Sequence, residues 1–455
     1  MAPVLLPEGS HETVKSELQI FDRPEYQVSQ LHGDWIEFTP VTSCAGSKVG
    51  TPIQFDVPKA EGLYTDLANS FLTISCSIVT GTNDAPVALT ATTPKVALVN
   101  LALASLFKDV TLLINNSKVE GDSQMYAYKS YIYNLLAAGV ACKKHQLAAC
   151  GWVTDDAKKF DAEDNEGYKT RRQWTATAAS TTTSNVCHLA GPLFLDIAMQ
   201  KQYLTDKMDL TFKFSRNSHA FALQAFDTDA VNDTYKIRFL TMALWLRRVQ
   251  VAPSVIVGHL RGLGNQNAIW KYPAFKVITT FHASGISNIS IANATPGIYP
   301  KCMFVAMLDN VTYNGHAKKN PYNFQHFNVS SMSCMMNGQF VPSTAFTPDF
   351  ASEDVLREYL SLYLATGKFG IHEDDNGILV SDYCNGSTIF PFTFAPDLSL
   401  DGFAQPIRMV NIRLDIKFKT ALTTNITLLL FCLCDTLFEL TSSGLVILDN
   451  TQMPN

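Results

Sequence analysis

The chain has 455 residues, of which 47% are hydrophobic and 17% are charged, and its formal net charge is -6. This length and hydrophobic content predict two or three separate cores. No run of like charges is long enough to suggest a disordered tail, and the first forty residues, whose only basic side chains are Lys15 and Arg23, exclude a basic arm that binds nucleic acid.

The sequence shows no signal for export or for membrane insertion. Residues 1–8 lack the basic start and the long apolar run of a signal peptide, so we expect synthesis without one. The most apolar run, Leu428–Cys434, is far shorter than the roughly 20 residues of a membrane-spanning helix, and it is predicted to be a strand buried on both faces. The ten cysteines form no CxxC pair and are predicted to be reduced and buried.

Residues 1–34 show little periodicity and are predicted to form an arm that packs on a neighbouring molecule. Short runs rich in Val, Ile, Thr and Phe follow, and clusters of Gly, Asn, Asp and Pro separate them. This composition predicts β-strands joined by turns. The first of these strands are expected at Trp35–Val41, Ile53–Val57, Phe71–Val79 and Val110–Ile114.

Four elements occur twice in the same order, which predicts a structural duplication. The first is a hairpin whose tip holds residues that tolerate positive φ, Asn115–Asn116 in one half and Asn337–Gly338 in the other. A helix with an apolar stripe follows each hairpin, and then come an apolar strand and a strand that alternates polar with apolar residues. These pairs are Tyr128–Leu136 and Leu356–Leu364, Gly191–Ile197 and Phe390–Leu398, and Met208–Phe214 and Ile412–Phe418.

The predicted fold class is all-β. Helical patterns are too few for an α/β protein, whereas short strands and frequent turn residues favour antiparallel sandwiches. We predict a double jelly roll, that is, two eight-stranded antiparallel β-sandwiches in tandem with short helices in the loops. The predicted boundaries are an N-terminal arm at 1–34, a first jelly roll at 35–218, a linker at 219–234, a second jelly roll at 235–440 and a C-terminal tail at 441–455.

Three polar segments could carry chemistry, but none has the residue spacing that a site requires. His372–Gly377 resembles a calcium loop, but an EF-hand would need Asp at the position of His372 and Glu at the position of Tyr383, so a solvated turn is predicted. Asp155–Asp164 mixes both charges and is predicted to be an exposed loop rather than a catalytic carboxylate pair. Tyr168–Trp174 combines basic and aromatic residues, as a site for single-stranded nucleic acid would, but a subunit contact is the favoured interpretation.

Signatures of phosphate loops, nucleophile elbows and zinc sites are absent from the sequence. We therefore assign no catalytic, cofactor-binding or metal-binding residue and expect no cofactor. The protein is predicted not to be an enzyme.

Six short motifs are similar to those of a known family. They are Lys15–Leu18, Asn165–Gly167, Arg171–Arg172, Val251–Ser254, Lys319–Phe324 and Pro396–Ser399. With these motifs the chain resembles the hexon-type double jelly-roll major capsid proteins of Polinton/Maverick elements and adintovirus-like viruses. The resemblance spans nearly the whole chain, and Lys319–Phe324 is its most specific motif.

The resemblance implies a structural role. The expected protein is a major capsid protein whose homotrimer is a pseudo-hexagonal capsomer of an icosahedral double-stranded DNA virus shell, made in the host cell and located in the virion capsid. Its expected partners are its own copies, neighbouring capsomers, and penton and minor capsid proteins. Neither sequence-specific binding of nucleic acid nor a membrane span is expected.

The residues considered without the resemblance leave two alternative functions open. A jelly-roll carbohydrate-binding protein, or a cupin-like enzyme, would show a His/Glu metal set or an aromatic-lined cleft on one roll. An attachment or penton-like protein would need only one roll.

Overall fold

The computed structural model describes residues 10, 16–18, 20–21, 23–46, 48–82, 85–89, 95–121, 124–175, 185–227, 234–297, 299–370, 374–396, 398 and 410–448. The strands within these ranges are β1 (Gln30–Phe38), β2 (Ile53–Val57), β3 (Leu63–Gly81), β4 (Pro86–Ala88), β5 (Val96–Leu98), β6 (Phe107–Ile114), β7 (Ser117–Glu120), β8 (Val186–Pro192), β9 (Leu210–Arg216), β10 (Leu223–Ala225), β11 (Lys236–Val251), β12 (Ala268–His282), β13 (Asn288–Ile291), β14 (Cys302–Asp309), β15 (Val329–Met336), β16 (Gln339–Phe340), β17 (Ile389–Thr393), β18 (Ile412–Phe418), β19 (Ile426–Leu440) and β20 (Val446–Leu448).

Short helices connect many of these strands. They are α1 (Ala102–Ser105), α2 (Tyr126–Ala137), α3 (Val140–Lys144), α4 (Glu166–Thr175), α5 (His219–Ala222), α6 (Pro253–Asn265), α7 (Asn310–Asn314), α8 (Leu356–Ala365) and α9 (Val380–Cys384), with 3-10 turns at Ser16–Leu18, Leu147–Cys150 and Ile197–Met199. In the part of the chain that the structure describes, no helix is long and apolar enough to cross a membrane.

The strands form two sandwiches with the same topology. In the first, the sheets have the orders β1-β11-β3-β8 and β2-β9-β6-β7, and the short strand β4 also pairs with β3. In the second, they have the orders β12-β19-β14-β17 and β13-β18-β15-β16, and the short strand β20 also pairs with β19. When the eight strands of each sandwich are numbered from one to eight along the chain, both sandwiches have the same order. One sheet contains strands one, eight, three and six, and the other contains strands two, seven, four and five. This is jelly-roll topology, and the predicted double jelly roll with eight strands per roll is confirmed.

The repeated hairpins and helices are also confirmed. Asn115 and Asn116 have φ of 48° and 64°, and Asn337 and Gly338 have φ of 50° and 84°, as a two-residue hairpin turn with two positive φ angles requires. Helices α2 and α8 follow these hairpins, and β8 and β17 follow the helices at the sixth place of each roll. The apolar strands predicted at Gly191–Ile197 and Phe390–Leu398 match them only in part, because β8 ends at Pro192 and β17 ends at Thr393.

The predicted boundary between the rolls is wrong. Strand β11 lies between β1 and β3 and pairs with both, so it closes the first roll instead of opening the second at residue 235. Part of the predicted linker, 219–234, also belongs to the first roll, because β10 pairs with β5. Residues 228–233 of that linker lie outside the described residues. The connection between the rolls is α6.

Both predicted terminal segments overlap with strands. The arm predicted at 1–34 ends earlier, because β1 begins at Gln30 and pairs with β11. The tail predicted at 441–455 starts with an ordered segment, since β20 pairs with the end of β19. Residues 449–455 lie outside the described residues.

The Leu428–Cys434 part of β19 is buried on both faces, as predicted. Leu430 and Cys432 face the interior of the second roll. Leu429 and Phe431, on the opposite face of β19, belong to a cluster that continues into the first roll. All ten cysteines lie in described ranges as free thiols. Eight of them are buried as predicted, whereas Cys44 and Cys142 are half-buried.

The left-handed turn at Gly338 can be tested by replacing two different glycines with alanine. A Cβ at Gly338 would meet no atom within 4 Å, but its φ of 84° is strained for other residues, so Gly338→Ala should lower the free energy of unfolding by about 1 kcal/mol. Gly258, in the interior of α6, also has open space, but its backbone is helical, so Gly258→Ala should stabilise the protein by about 0.5–1 kcal/mol. Urea unfolding of both variants measures the change in unfolding free energy. Changes of the same sign in the two variants would contradict the turn assignment.

Candidate functional site

The two rolls meet through buried polar and aromatic side chains, and this joint is the candidate functional site. Lys319–Phe324, which lies between β14 and β15 of the second roll, inserts into the first. The ring of Tyr322 is fully buried and lies parallel to that of Tyr131 in α2, with 3.8 Å between ring centroids. Its hydroxyl oxygen lies 2.5 Å from Oγ of Ser105 in α1. The segment thereby fixes the second roll against two helices of the first.

Asp155 is the polar centre of this joint. Its Oδ1 accepts hydrogen bonds from Nη2 of Arg171 at 2.8 Å and from Nδ2 of Asn165 at 3.1 Å. Its Oδ2 accepts one from Nδ2 of Asn320 at 3.0 Å. Three of the motifs that carry the family resemblance thus each contribute one side chain to this carboxylate.

The Asp155–Arg171 ion pair is fully buried, with both side chains 0% exposed. A buried charge is costly unless its partners satisfy it. Arg171 also donates from Nε to the carbonyl oxygen of Leu98 and from Nη1 to that of Val153, both at 3.0 Å. The pair is therefore embedded in a hydrogen-bonded network instead of standing alone.

These contacts correct two predictions. Asp155–Asp164 was predicted to be an exposed loop, but Asp155 is buried and neutralised by Arg171, which lies sixteen residues away. Tyr168–Trp174 is predicted to lie in a loop, but these residues lie in α4, where Tyr168 and Arg171 are fully buried. The subunit contact expected for this segment stays a prediction. The mixed charges of these two segments predict solvent exposure. In the fold, Asp155 of one segment pairs with Arg171 of the other and both are buried.

A second buried charge cluster lies at the same joint. Nζ of Lys129 in α2 lies 2.6 Å from Oε1 of Glu120 and 2.8 Å from Oδ1 of Asp196. The other carboxylate oxygen of Asp196, Oδ2, accepts a hydrogen bond at 3.0 Å from the backbone N–H of Phe275 in β12. A carboxylate of the first roll thus accepts a hydrogen bond from the first strand of the second roll.

Two carboxylates share one ammonium here, and this arrangement affects the titration of Asp196 and Lys129. Burial raises the pKa of Asp196 to about 7; the charge of Glu120 adds to the rise, while the charge of Lys129 opposes it. Burial alone would lower the pKa of Lys129, but Asp196 and Glu120 raise it above its usual value. Lys129 therefore remains charged while Asp196 titrates.

A third contact involves the segment that resembles a calcium loop. His372 and Glu373 lie outside the described residues. Asn376 is 1% exposed, and its carbonyl oxygen accepts a hydrogen bond at 2.6 Å from Nζ of Lys143 in α3, so the prediction of a solvated turn is wrong at this residue. Gly139 permits the approach, because a Cβ there would lie 1.8 Å from Oδ2 of Asp374. Within the described ranges, no group of three or more His, Cys, Asp and Glu side chains is placed to hold a metal ion.

Sequence reasoning missed Lys129 and Asp196. Each is a charged residue inside an apolar element, Lys129 on the buried helix α2 and Asp196 in the apolar run Gly191–Ile197. Such positions require a buried partner of opposite charge, and this signal was present in the sequence. Which residues pair could be determined only from the fold.

The Asp155 network predicts unequal effects at two adjacent arginines. Arg171→Met should lower the free energy of unfolding by about 3–5 kcal/mol, because it leaves a buried carboxylate without its counter-ion. Arg172, whose Nη1 lies 3.8 Å from Oε1 of the half-exposed Glu163, is the control, and Arg172→Met should cost less than about 1 kcal/mol. Urea unfolding measures both, and equal losses would contradict the network.

The raised pKa of Asp196 predicts a pH dependence. As the pH rises from about 4 to about 7, the unfolded chain loses the proton of Asp196 while the folded protein retains it, so its contribution to stability declines. The decline should approach 1.4 kcal/mol per pH unit, roughly the value for one proton. Asp196→Asn removes the titrating group, so the difference in unfolding free energy between wild type and variant should fall over this range. A difference that stays constant with pH would contradict the assignment.

No protein-family model matches this chain. An uncharacterised protein of Caenorhabditis elegans is 22% identical to it over 378 residues, which cover 81% of this chain and 86% of that protein.

Several solved structures are similar in fold. A chain of the Sputnik virophage structure has a TM-score of 0.62 at 14% identity, with 99% of this chain and 94% of that chain covered. The Faustovirus major capsid protein has a TM-score of 0.58 at 8% identity, with 93% and 92% covered. The mavirus major capsid protein has a TM-score of 0.56 at 12% identity, with 99% and 96% covered. At these identities the similarity shows the fold, a tandem double jelly roll that extends over nearly the entire chain.

Proposed function

We propose that this protein is a major capsid protein whose homotrimer forms a pseudo-hexagonal capsomer in the icosahedral shell of a double-stranded DNA virus or virus-like element. The observation that carries the proposal is the presence of two rolls with the same strand order in one chain. Three such chains contribute six similar units, so a threefold object can occupy a hexagonal lattice position with nearly equivalent neighbours.

The joint between the rolls supports this role. A capsomer can present six similar units to its neighbours only if each chain keeps its two rolls in one orientation. The Asp155 network, the cluster around Lys129 and the stacked rings of Tyr131 and Tyr322 all cross or adjoin the joint and are buried. Buried, satisfied polar networks of this kind favour one relative arrangement.

The N-terminal arm supports contacts beyond the trimer. Leu18, Phe21 and Tyr26 expose 69%, 92% and 81% of their surface, which is unusual for apolar side chains without a partner. We assign this arm to contacts with neighbouring subunits or capsomers. Penton and minor capsid proteins are the further partners of such a shell, and the protein would be located in the virion capsid.

The relation to Polinton/Maverick elements and adintovirus-like viruses is the finer part of the proposal. Its support is the position of the resembling motifs, because Asn165, Arg171 and the segment Lys319–Phe324 come together at the joint. Residues that fix the orientation of the two rolls are those that a shared capsomer architecture would constrain most.

One cavity bears on the carbohydrate-binding alternative. It has a volume of about 500 Å³, lies between α6 and the two rolls, and is lined in part by Tyr64, His259 and Trp270. A sugar-binding platform needs a free aromatic face. Here the ring of Trp270 stacks on Phe438 at 5.0 Å, and the ring of Tyr64 stacks on His259 at 5.7 Å. The rings of Trp270 and Tyr64 are thus used in packing, which does not favour carbohydrate binding there.

The proposal predicts the mass and shape of the purified protein. Sedimentation equilibrium at micromolar concentration should give about 150 kDa for a trimer of the 50.2 kDa chain. Electron microscopy of the same sample should show threefold particles with a pseudo-hexagonal outline. A monodisperse species of 50.2 kDa would overturn the proposed function.

A further inference from the structure

Helix α8 of the second roll carries an exposed leucine stripe. Leu356, Leu360 and Leu364 recur every four residues, so they lie on one face of the helix, and they expose 55%, 46% and 40% of their surface. The side of α8 that faces its own roll consists of Glu358, Leu362 and Ala365, which are buried. An apolar helix face of this kind is shielded from water only when a partner packs against it.

The equivalent helix of the first roll already has its partner. Helix α2 follows the fifth strand of its roll as α8 does, but ten of its twelve residues are buried. The second roll contributes to this burial, since Tyr133 of α2 contacts the ring of Phe275 at 5.0 Å and Tyr131 contacts that of Tyr322 at 3.8 Å. The two helices thus occupy the same place in the two rolls, and only one of them is covered within a single chain.

The surface that α2 covers has a simple composition. It is the outer face of the sheet of the second roll, where the first, last and third strands contribute the adjacent rings of Phe275 in β12, Phe431 in β19 and Phe304 in β14. Phe431 and Phe304 are 1% and 4% exposed. Their burial results from the contact with the first roll, because the opposite face of this sheet forms the interior of the second roll.

The first roll presents the same arrangement without a cover. Its first, last and third strands carry Trp35 in β1, Trp245 in β11 and Phe71 in β3 on the outer face of the sheet. Trp245 stacks on Phe71 at 5.9 Å, and Trp35 is 43% exposed beside Arg247, whose guanidinium lies 4.6 Å from its ring. Trp245 and Phe71 are each partly exposed. Three aromatic side chains on one sheet face therefore lack the helix that covers their counterparts.

We infer that the leucine stripe of α8 docks on the aromatic face formed by Trp35, Phe71 and Trp245 of a second copy of this chain. The contact between chains would then repeat the contact that α2 makes within the chain. This inference rests on the proposed function, and it specifies which two surfaces build the capsomer.

The contact is heterologous, because the two surfaces belong to different rolls. Each chain offers one stripe and one aromatic face, so the interface is head-to-tail and closes only as a ring. If the step between chains equals the step between the rolls, the six rolls of three chains complete that ring.

Two leucines provide a matched test by sedimentation equilibrium. Leu360 in α8 and Leu260 in α6 are both helical and both 46% exposed. Leu360→Arg places a charge in the contact and should lower the measured mass about threefold, from about 150 kDa to the 50.2 kDa of the chain. Leu260→Arg should leave the trimer mass unchanged.

A photo-reactive amino acid at position 360 tests the acceptor surface without relying on a disruptive variant. Irradiation of the trimer should link this position to peptides of another copy that contain Trp35, Phe71 or Trp245. Adducts to α8 of another copy, or to any other surface, would overturn the inference, as would a trimer that persists in Leu360→Arg. These outcomes leave the proposed function intact, whereas a monomeric wild type would overturn the inference and the proposed function together.

Discussion

The arrangement of the two rolls depends on one buried carboxylate. Asp155 is shared by Asn165 and Arg171, which lie near it in the first roll, and by Asn320, which comes from the second roll. An ionised carboxylate in a protein interior is tolerated only when its hydrogen-bonding capacity is filled, so all three partners must be in place at once. The second roll is therefore held by a polar contact with defined geometry as well as by apolar burial around Tyr322.

The duplication places similar elements in different surroundings. Both rolls have the same strand order, yet α2 is covered by the second roll while the leucine face of α8 is exposed. When two similar rolls pack in tandem, their contact uses the helix of one roll and the sheet face of the other. The remaining helix and the remaining sheet face are left uncovered. Assembly of further copies is the physical means by which such a chain can bury its two free ends.

A second set of buried charged side chains also contributes to the joint. Lys129, Glu120 and Asp196 form a cluster in which two carboxylates compete for one ammonium, and a backbone N–H of the second roll completes it. Burial disfavours the ionised form of Asp196, so the cluster couples the protonation of one residue to the contact between the rolls. The joint thus combines a fully paired network at Asp155 with a titratable one at Asp196.

Sequence patterns alone predicted the all-β class, the two jelly rolls, both hairpins, the helix that follows each of them and the doubly buried strand at Leu428–Cys434. These features depend on local periodicity and turn chemistry, which act over a few residues. That β11 closes the first roll became visible only in the fold, since its pairing with β1 and β3 connects residues far apart in the chain. The same holds for Asp155 and Arg171, whose charges predict a solvated loop in sequence and form a buried pair in the fold. Long-range pairing changes the environment of a residue without changing its local pattern, so the pattern alone could not reveal the joint.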